Sequence, residues 1–162
     1  MIYLKHWTKE NKLIKMITFQ KGDLFKSSAQ SYVIPVNTEG VMGAGLALYA
    51  RKRFPGLFNA YREDCFNGIL SVKGFSVFDI EDNKKIILFP TKTTWKKPSD
   101  IRLIIKNLEL FRATYKKHKI ESCAFPLIGC GLGNLNPNDI IPIMIEHLID
   151  LDIDCAVYIP EN

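Results

Sequence analysis

No apolar run in this 162-residue chain approaches the roughly 20 residues that cross a bilayer. The opening stretch MIYLKHWTKENKLIK also lacks the apolar centre and small-residue cleavage site of a signal peptide. A soluble, cytoplasmic protein with no membrane partner is expected. Histidine is scarce, and Cys65, Cys123, Cys130 and Cys155 form no C-x-x-C pair and no Cys/His spacing suited to a metal. The thiols are expected reduced and the protein metal-free. Cys123 and Cys155 lie in apolar runs and read as core, whereas Cys130 sits in a glycine loop with no committed histidine nearby. There is no G-x-x-x-x-G-K-[ST], and GAGLAL does not supply G-x-G-x-x-G, so P-loop and Rossmann readings lose support. Internal repeats and low-complexity segments are also lacking.

What is present suits one compact domain. Hydrophobic residues make up 47% of the chain, enough for a single core and too little length for two ordinary domains. A chain of this size buries its own core, so a monomer is expected. The net charge is +5, and Lys5, Lys9, Lys12 and Lys15 against Glu10 supply +3 of it. Residues 1–15 therefore read as a basic N-terminal extension, a solvated tail or an added helix, ahead of a domain over 16–162.

From Met16 the hydrophobic period alternates. MITFQKGDLF opens as a strand closing on Gly22 and Asp23, and SYVIPV (31–36) reads as a buried strand. Residues 46–54 and 57–66 read as helices split by Pro55-Gly56. Strands follow over 74–80, where the alternation is imperfect, and over 84–90. The clearest helix is 99–117, with Ser99 as its cap and Ile101, Ile104, Leu108, Phe111 and Tyr115 on one face. A strand at 122–128 precedes the loop GCGLGN (129–134), a helix over 140–150 that Asp139 caps and that tolerates Pro142, and a closing strand at 154–159. Strands separated by helices define a three-layer α/β fold with a mixed or mostly parallel sheet.

In such sheets ligands collect beyond the carboxyl ends of the strands. Two glycine loops, in VNTEGVMGAGLALYARKRFPG (36–56) and in GCGLGN, each leave a strand and enter a helix. Glycine lets main chain approach an anion closely, and amides at a helix start direct positive dipoles at it. Two such loops at one rim suit a diphosphate.

KGDLF (21–25), VNTEGVMGAGLALYARKRFPG, ILFPTKTTWKKPS (87–99), FPLIGCGLGNL (125–135) and the closing VYIPEN resemble, in this order, the pattern of a macrodomain. The resemblance covers Met16 to Asn162. Within that superfamily the chain looks like the branch holding terminal ADP-ribose protein glycohydrolase and the antitoxin macrodomain that reverses DNA ADP-ribosylation. It implies a three-layer α/β/α macrodomain with a mixed, mostly parallel sheet, and an ADP-ribose pocket needing no cofactor. By position, Asp23 would bind the adenine amino group, Asn37 would face the distal ribose, and Gly43, Ala44, Gly45 and Leu46 would wrap that ribose and its phosphate. Gly129, Cys130, Gly131, Leu132, Gly133 and Asn134 would close over the diphosphate, and Tyr158 would lie near adenine. Leu24, Thr38 and Thr91 fall beside them and count among the ligand-binding residues.

Cleavage at an anomeric carbon passes through an oxocarbenium-like centre, for which glycosidases commonly place two carboxylates. No such pair is evident; Glu39 and Asp23 stand alone in loops and read as solvated charges or caps. Lys92 follows a strand at the same presumed rim. Read without the family it is a surface lysine; a lysine is a nucleophile only when unprotonated, a state that desolvation or neighbouring cations favour. The resemblance of TKTTW to the lysine segment of this branch makes Lys92 the expected nucleophile. It would attack the anomeric carbon and hold the opened sugar until water releases ADP-ribose.

The sequence departs from the protein-acting members in one place: where they carry an aspartate after GCGL, this chain has Gly133. VNTEGVMG leans toward the DNA-acting relatives, while MGAGLAL and GCGL lean the other way. The expected activity is removal of mono-ADP-ribose from a nucleobase of DNA or from an acidic protein side chain. Single-stranded DNA is a candidate partner, since Lys84, Lys85, Lys92, Lys96, Lys97 and Arg102 surround Trp95 in a stretch that could equally be a solvated loop. The alternatives are a non-catalytic ADP-ribose-binding module and an ADP-ribose 1''-phosphate phosphatase.

Overall fold

The computed structural model describes residues 1–5 and 15–161. The expectation for residues 6–14 lies outside them. Among the described residues seven strands form one sheet: β1 (Ile2–Lys5), β2 (Met16–Lys21), β3 (Ser31–Asn37), β4 (Ser76–Asp79), β5 (Lys85–Lys92), β6 (Ser122–Pro126) and β7 (Asp154–Ile159), in the order β1-β2-β7-β6-β3-β5-β4. The five inner strands run parallel, and β1 and β4 pair antiparallel at the two edges. This is the mixed, mostly parallel sheet expected.

Among the described residues four α-helices cover it: α1 (Gly45–Arg53), α2 (Leu57–Phe66), α3 (Ile101–Thr114) and α4 (Pro137–Leu148). The central strands β3 and β5 are buried along almost their whole length because both of their faces are covered, whereas β2 alternates buried and part-exposed residues. On one face Val33, Ile87, Phe89, Cys123, Phe125, Cys155 and Val157 pack with Ile104, Leu108 and Phe111 of α3 and Ile140 and Met144 of α4. Their sequence neighbours Tyr32, Ile34, Ile86, Leu88 and Ala124 point the other way, onto Ala50 of α1 and Leu57 and Tyr61 of α2. Cys123 and Cys155 are core, as their surroundings in the sequence suggested.

Several boundaries differ from the sequence reading. Asp100, not Ser99, caps α3: its Oδ1 accepts the Arg102 N–H at 2.9 Å. Asn136, not Asp139, caps α4 by accepting from the Asn138 N–H at 2.9 Å, so the helix begins at Pro137, whose missing N–H costs nothing at a first position. Pro142 therefore lies inside the helix. β4 is a four-residue edge strand, all of it partly or fully exposed, which accounts for its imperfect alternation. Before it, residues Ile69–Lys73 wind as a short π-helical turn. Ile2–Lys5 adds to the sheet as an edge strand rather than trailing as a tail or forming a helix, with Met1, Ile2 and Tyr3 still exposed.

Among the described residues no helix is long and apolar enough to cross a membrane, and no group of three His, Cys, Asp or Glu is placed to hold a metal. All four cysteines are free.

Candidate active site

Because the five inner strands are parallel, their carboxyl ends meet at one rim, and each delivers a sequence-predicted residue there or just beyond. Asp23 and Leu24 follow β2, Asn37 and Thr38 end β3, Thr91 and Lys92 end β5, the second glycine loop follows β6, and Tyr158 lies near the end of β7.

Asn37 is the knot of the first loop. It is buried, and its Oδ1 accepts the N–H groups of Glu39, Gly40 and Val41 at 3.1, 3.1 and 3.2 Å, while Nδ2 donates to the Val41 carbonyl at 2.8 Å. The Tyr61 hydroxyl, fully buried on α2, lies 2.8 Å from both the Asn37 carbonyl and its Oδ1 and donates between them. Burial, with the nearby Cys65 as a lesser cause, pushes the Tyr61 hydroxyl well above its ordinary pKa, so it stays a donor. The amide of Asn37 is thus spent on shaping main chain, and what the loop offers outward is backbone. Gly43, Ala44 and Gly45 are exposed, and no side chain caps α1, which starts at Gly45. The first-turn amides of that helix face the rim without a side-chain acceptor.

The second loop is held from beneath. The Leu135 N–H donates to the Gly129 carbonyl at 2.9 Å, and the Ser99 N–H donates to the Gly133 carbonyl at 2.9 Å. Gly129 and Gly133 are buried in the floor, whereas Gly131, Leu132 and Asn134 are exposed and Cys130 is half-buried. Neither floor position has room for a side chain. A Cβ on Gly129, whose φ is +75°, would sit 2.8 Å from Leu135 and 2.9 Å from Ile104; one on Gly133 would sit 2.2 Å from Ser99 Oγ and 2.5 Å from the Gly129 carbonyl oxygen. Packing therefore excludes a side chain after GCGL, since Ser99 fills the place it would take. The two loops touch: a Cβ at Gly45 would lie 3.1 Å from Leu132 Cδ1.

Lys92 is half-buried at the end of β5, in register with Asn37 after a one-residue slip following Val36. The Thr38 N–H donates to its carbonyl at 3.2 Å, and Thr38 Oγ1 to that of Thr93 at 3.3 Å. Glu39, expected as a solvated charge or a cap, accepts the Trp95 N–H at 3.2 Å and ties the first loop to the lysine segment. Thr91 is buried, and its hydroxyl accepts from Ser99 Oγ at 3.3 Å, so it supports the rim from below.

At the other end, Asp23 is exposed and its Oδ1 accepts the Phe25 N–H at 2.9 Å. Leu24 is buried, and Tyr158 is partly buried with Cδ1 4.0 Å from where a Cβ of Gly22 would stand. Sequence reasoning passed over Tyr61, Asn107 and the packing role of Ser99. Only Asn107 left a signal: an amide on the otherwise apolar face of α3.

The rim thus gathers two glycine loops and, at the end of β5, a lysine in register with Asn37, and the chain belongs to the Macro domain family, whose model matches residues 33–144. It is 34% identical to the DNA ADP-ribosyl glycohydrolase of Mycobacterium tuberculosis over 91% of this chain and 43% of that protein. The chain spans less than half the length of the DNA ADP-ribosyl glycohydrolases it matches. Among solved structures, the macrodomain of Mycobacterium tuberculosis DarG superposes with a TM-score of 0.85 at 34% identity, covering 91% of this chain and 99% of that one. Thermosipho africanus DarTG in complex with ADP-ribose superposes at 0.83 and 33% identity, covering 88% and 42%.

Proposed function

We propose that this macrodomain is an ADP-ribosyl hydrolase that removes mono-ADP-ribose from a nucleobase of DNA. The observation that carries the reading is the register of Lys92 with Asn37 beside two touching loops, in a chain similar to proteins named DNA ADP-ribosyl glycohydrolases. The uncapped first turn of α1 and the exposed main chain of Gly131 and Leu132 hold the diphosphate between them. Asp23 faces the adenine end with Leu24 and Tyr158, and Asn37 acts through the loop that it shapes.

Lys92 is the nucleophile. Its Nζ electron pair forms a bond to the anomeric carbon as the glycosidic pair departs with the nucleobase, which takes up a proton. The sugar ring opens to an imine, and water hydrolyses it, restoring the amine and releasing ADP-ribose. The chain works as a monomer that buries its own core, in the cytoplasm, where its four free cysteines stay reduced.

The test is release of free ADP-ribose from ADP-ribosylated single-stranded DNA and from a glutamate-modified protein, by wild type and Lys92→Ala. Release from DNA is expected to fall on the order of a thousandfold or more in the variant, with ADP-ribose affinity changed only a few-fold. Gly43→Glu serves as the pocket control: a Cβ there meets only Val41, at 3.7 Å, so the variant folds while its carboxylate repels the diphosphate. Release from the protein alone would move the substrate to an acidic side chain. Phosphate liberated from ADP-ribose 1''-phosphate would make it a phosphatase, and ADP-ribose binding with no turnover would make it a binding module.

A further inference from the structure

A hollow adjoins Lys92, bordered by Ser99 and Leu135, whose N–H groups hold the Gly133 and Gly129 carbonyls of the second glycine loop. It is an open depression of about 550 Å³ whose walls include Lys92, Lys97, Pro98, Ile101, Leu103 and Leu135. None of Asn37, Gly43–Leu46 or residues 129–134 lines it. Its volume lies within the ordinary range for a small-molecule site, and its walls are apolar faces under a cationic edge. The one acid on the wall, Asp100, is already engaged: it caps α3 and pairs with the Arg102 guanidinium at 3.4 Å, which with the cap bond holds its carboxyl below the usual range. In the chain between the lining residues Thr93 and Lys97 stand Trp95, 55% exposed, and Lys96, whose Nζ is 5.7 Å from the Trp95 ring centroid. The Trp95 main chain is pinned by Glu39, so the ring stands on a fixed loop.

We infer that this depression is a nucleotide subsite for the DNA strand bearing the ADP-ribose, its apolar walls and Trp95 receiving base faces and Lys97 a phosphate. The inference rests on the hydrolase reading above and deepens it. An apolar hollow with a basic edge and an adjacent aromatic matches a nucleotide, which presents a flat π-face beside an anion. An acidic peptide would meet the same cations and gain little from Pro98, Ile101, Leu103 and Leu135. Lys92 lines the depression and also ends β5 in register with Asn37 of the first loop, so a substrate reaching from the loops into the depression would place its linking bond at the lysine.

Lys97→Glu tests it, because Lys97 is exposed and its side chain holds no part of the fold. Initial rates on ADP-ribosylated single-stranded oligonucleotides, measured across a salt series, give KM and its salt slope. Calorimetry with free ADP-ribose reports the proposed ADP-ribose site. The expected result is a KM for modified DNA raised about five- to tenfold, a salt slope reduced by about 0.7 for one lost phosphate contact, and ADP-ribose affinity within twofold of wild type. Wild type that hydrolyses DNA while Lys97→Glu matches it in KM and slope overturns this inference and leaves the hydrolase reading standing. Wild type that releases nothing from DNA overturns the hydrolase reading first. A Lys97→Glu effect confined to a glutamate-modified protein assigns the depression to a peptide and overturns the nucleotide.

Discussion

Asn37 pairs with Lys92, not with Thr91, across the parallel strands β3 and β5, because the ladder slips by one residue after Val36. Successive strand residues face opposite sides of a sheet, so without the slip Lys92 would turn away from the face that Asn37 occupies. The displaced carbonyls are caught by α3 and its cap: Asn107 Nδ2 donates to the Pro90 carbonyl at 2.9 Å, and the Asp100 N–H donates to that of Thr91 at 2.8 Å.

Asn107 is therefore a positioning residue for the lysine. It is fully buried, and its Oδ1 is without a partner. Asn107→Leu removes one hydrogen bond together with that orphaned acceptor, so a loss of about 1–2 kcal/mol in urea unfolding is expected. Asn107→Asp, which sets a carboxylate against the Pro90 carbonyl, should lose more. With the lysine freed to wander, kcat for ADP-ribose release should fall while KM stays near its wild-type value.

The floor of the second loop gives a sharper contrast. Gly131→Ala adds a Cβ with nothing within 4 Å and should leave the melting temperature unchanged, whereas Gly133→Ala collides with Ser99 Oγ and with main chain at Gly129. The second variant should lose about 1–3 kcal/mol. Adding Ser99→Ala should restore only part of it, since the backbone contact at 2.5 Å remains. Full restoration by Ser99→Ala, read in thermal melts, would show that the loop backbone yields.

Alkaline pH should weaken the fold. Complete burial pushes the Cys123 thiol up to about 12, and burial with Asp139 nearby pushes Cys130 up to about 11, from an ordinary 9.0. Above pH 9 the unfolded chain has released these protons and the folded chain still holds them, so stability declines as pH rises through the folded values. Melts under reductant should show a falling midpoint from pH 9 to 11. The decline should be shallower in a Cys123→Ala/Cys130→Ala variant.

The layers of this fold were legible because each inner strand is a short apolar run between turn signals, and α3 carries a clean three- and four-residue repeat. Helix starts were less so: Ser99 and Asp100 are both good caps, and only the Thr91 carbonyl, taken by the Asp100 N–H, decides between them. Edge strand β1 carried too little pattern to read, being four residues whose partner begins at Met16. At the site, the rim residues could be named from loop spacing and resemblance. What sequence could not show was that Asn37 turns inward, that Glu39 reaches across to Trp95, or that a hydroxyl stands where Gly133 might have carried a carboxylate. Each of those depends on residues far apart in the chain.

The packing of Ser99 against Gly133 also bears on how such a loop diverges. A single base change converts many glycine codons to aspartate, so an acid at this position is genetically close. It is structurally remote. The side chain would need the serine vacated and the Gly129 carbonyl swung aside before it could fold in, and either change alone leaves a hole or a strained turn. Descent from glycine to an acid at this position would then have to pass through a reshaped loop, and the order of substitutions would matter as much as their identity.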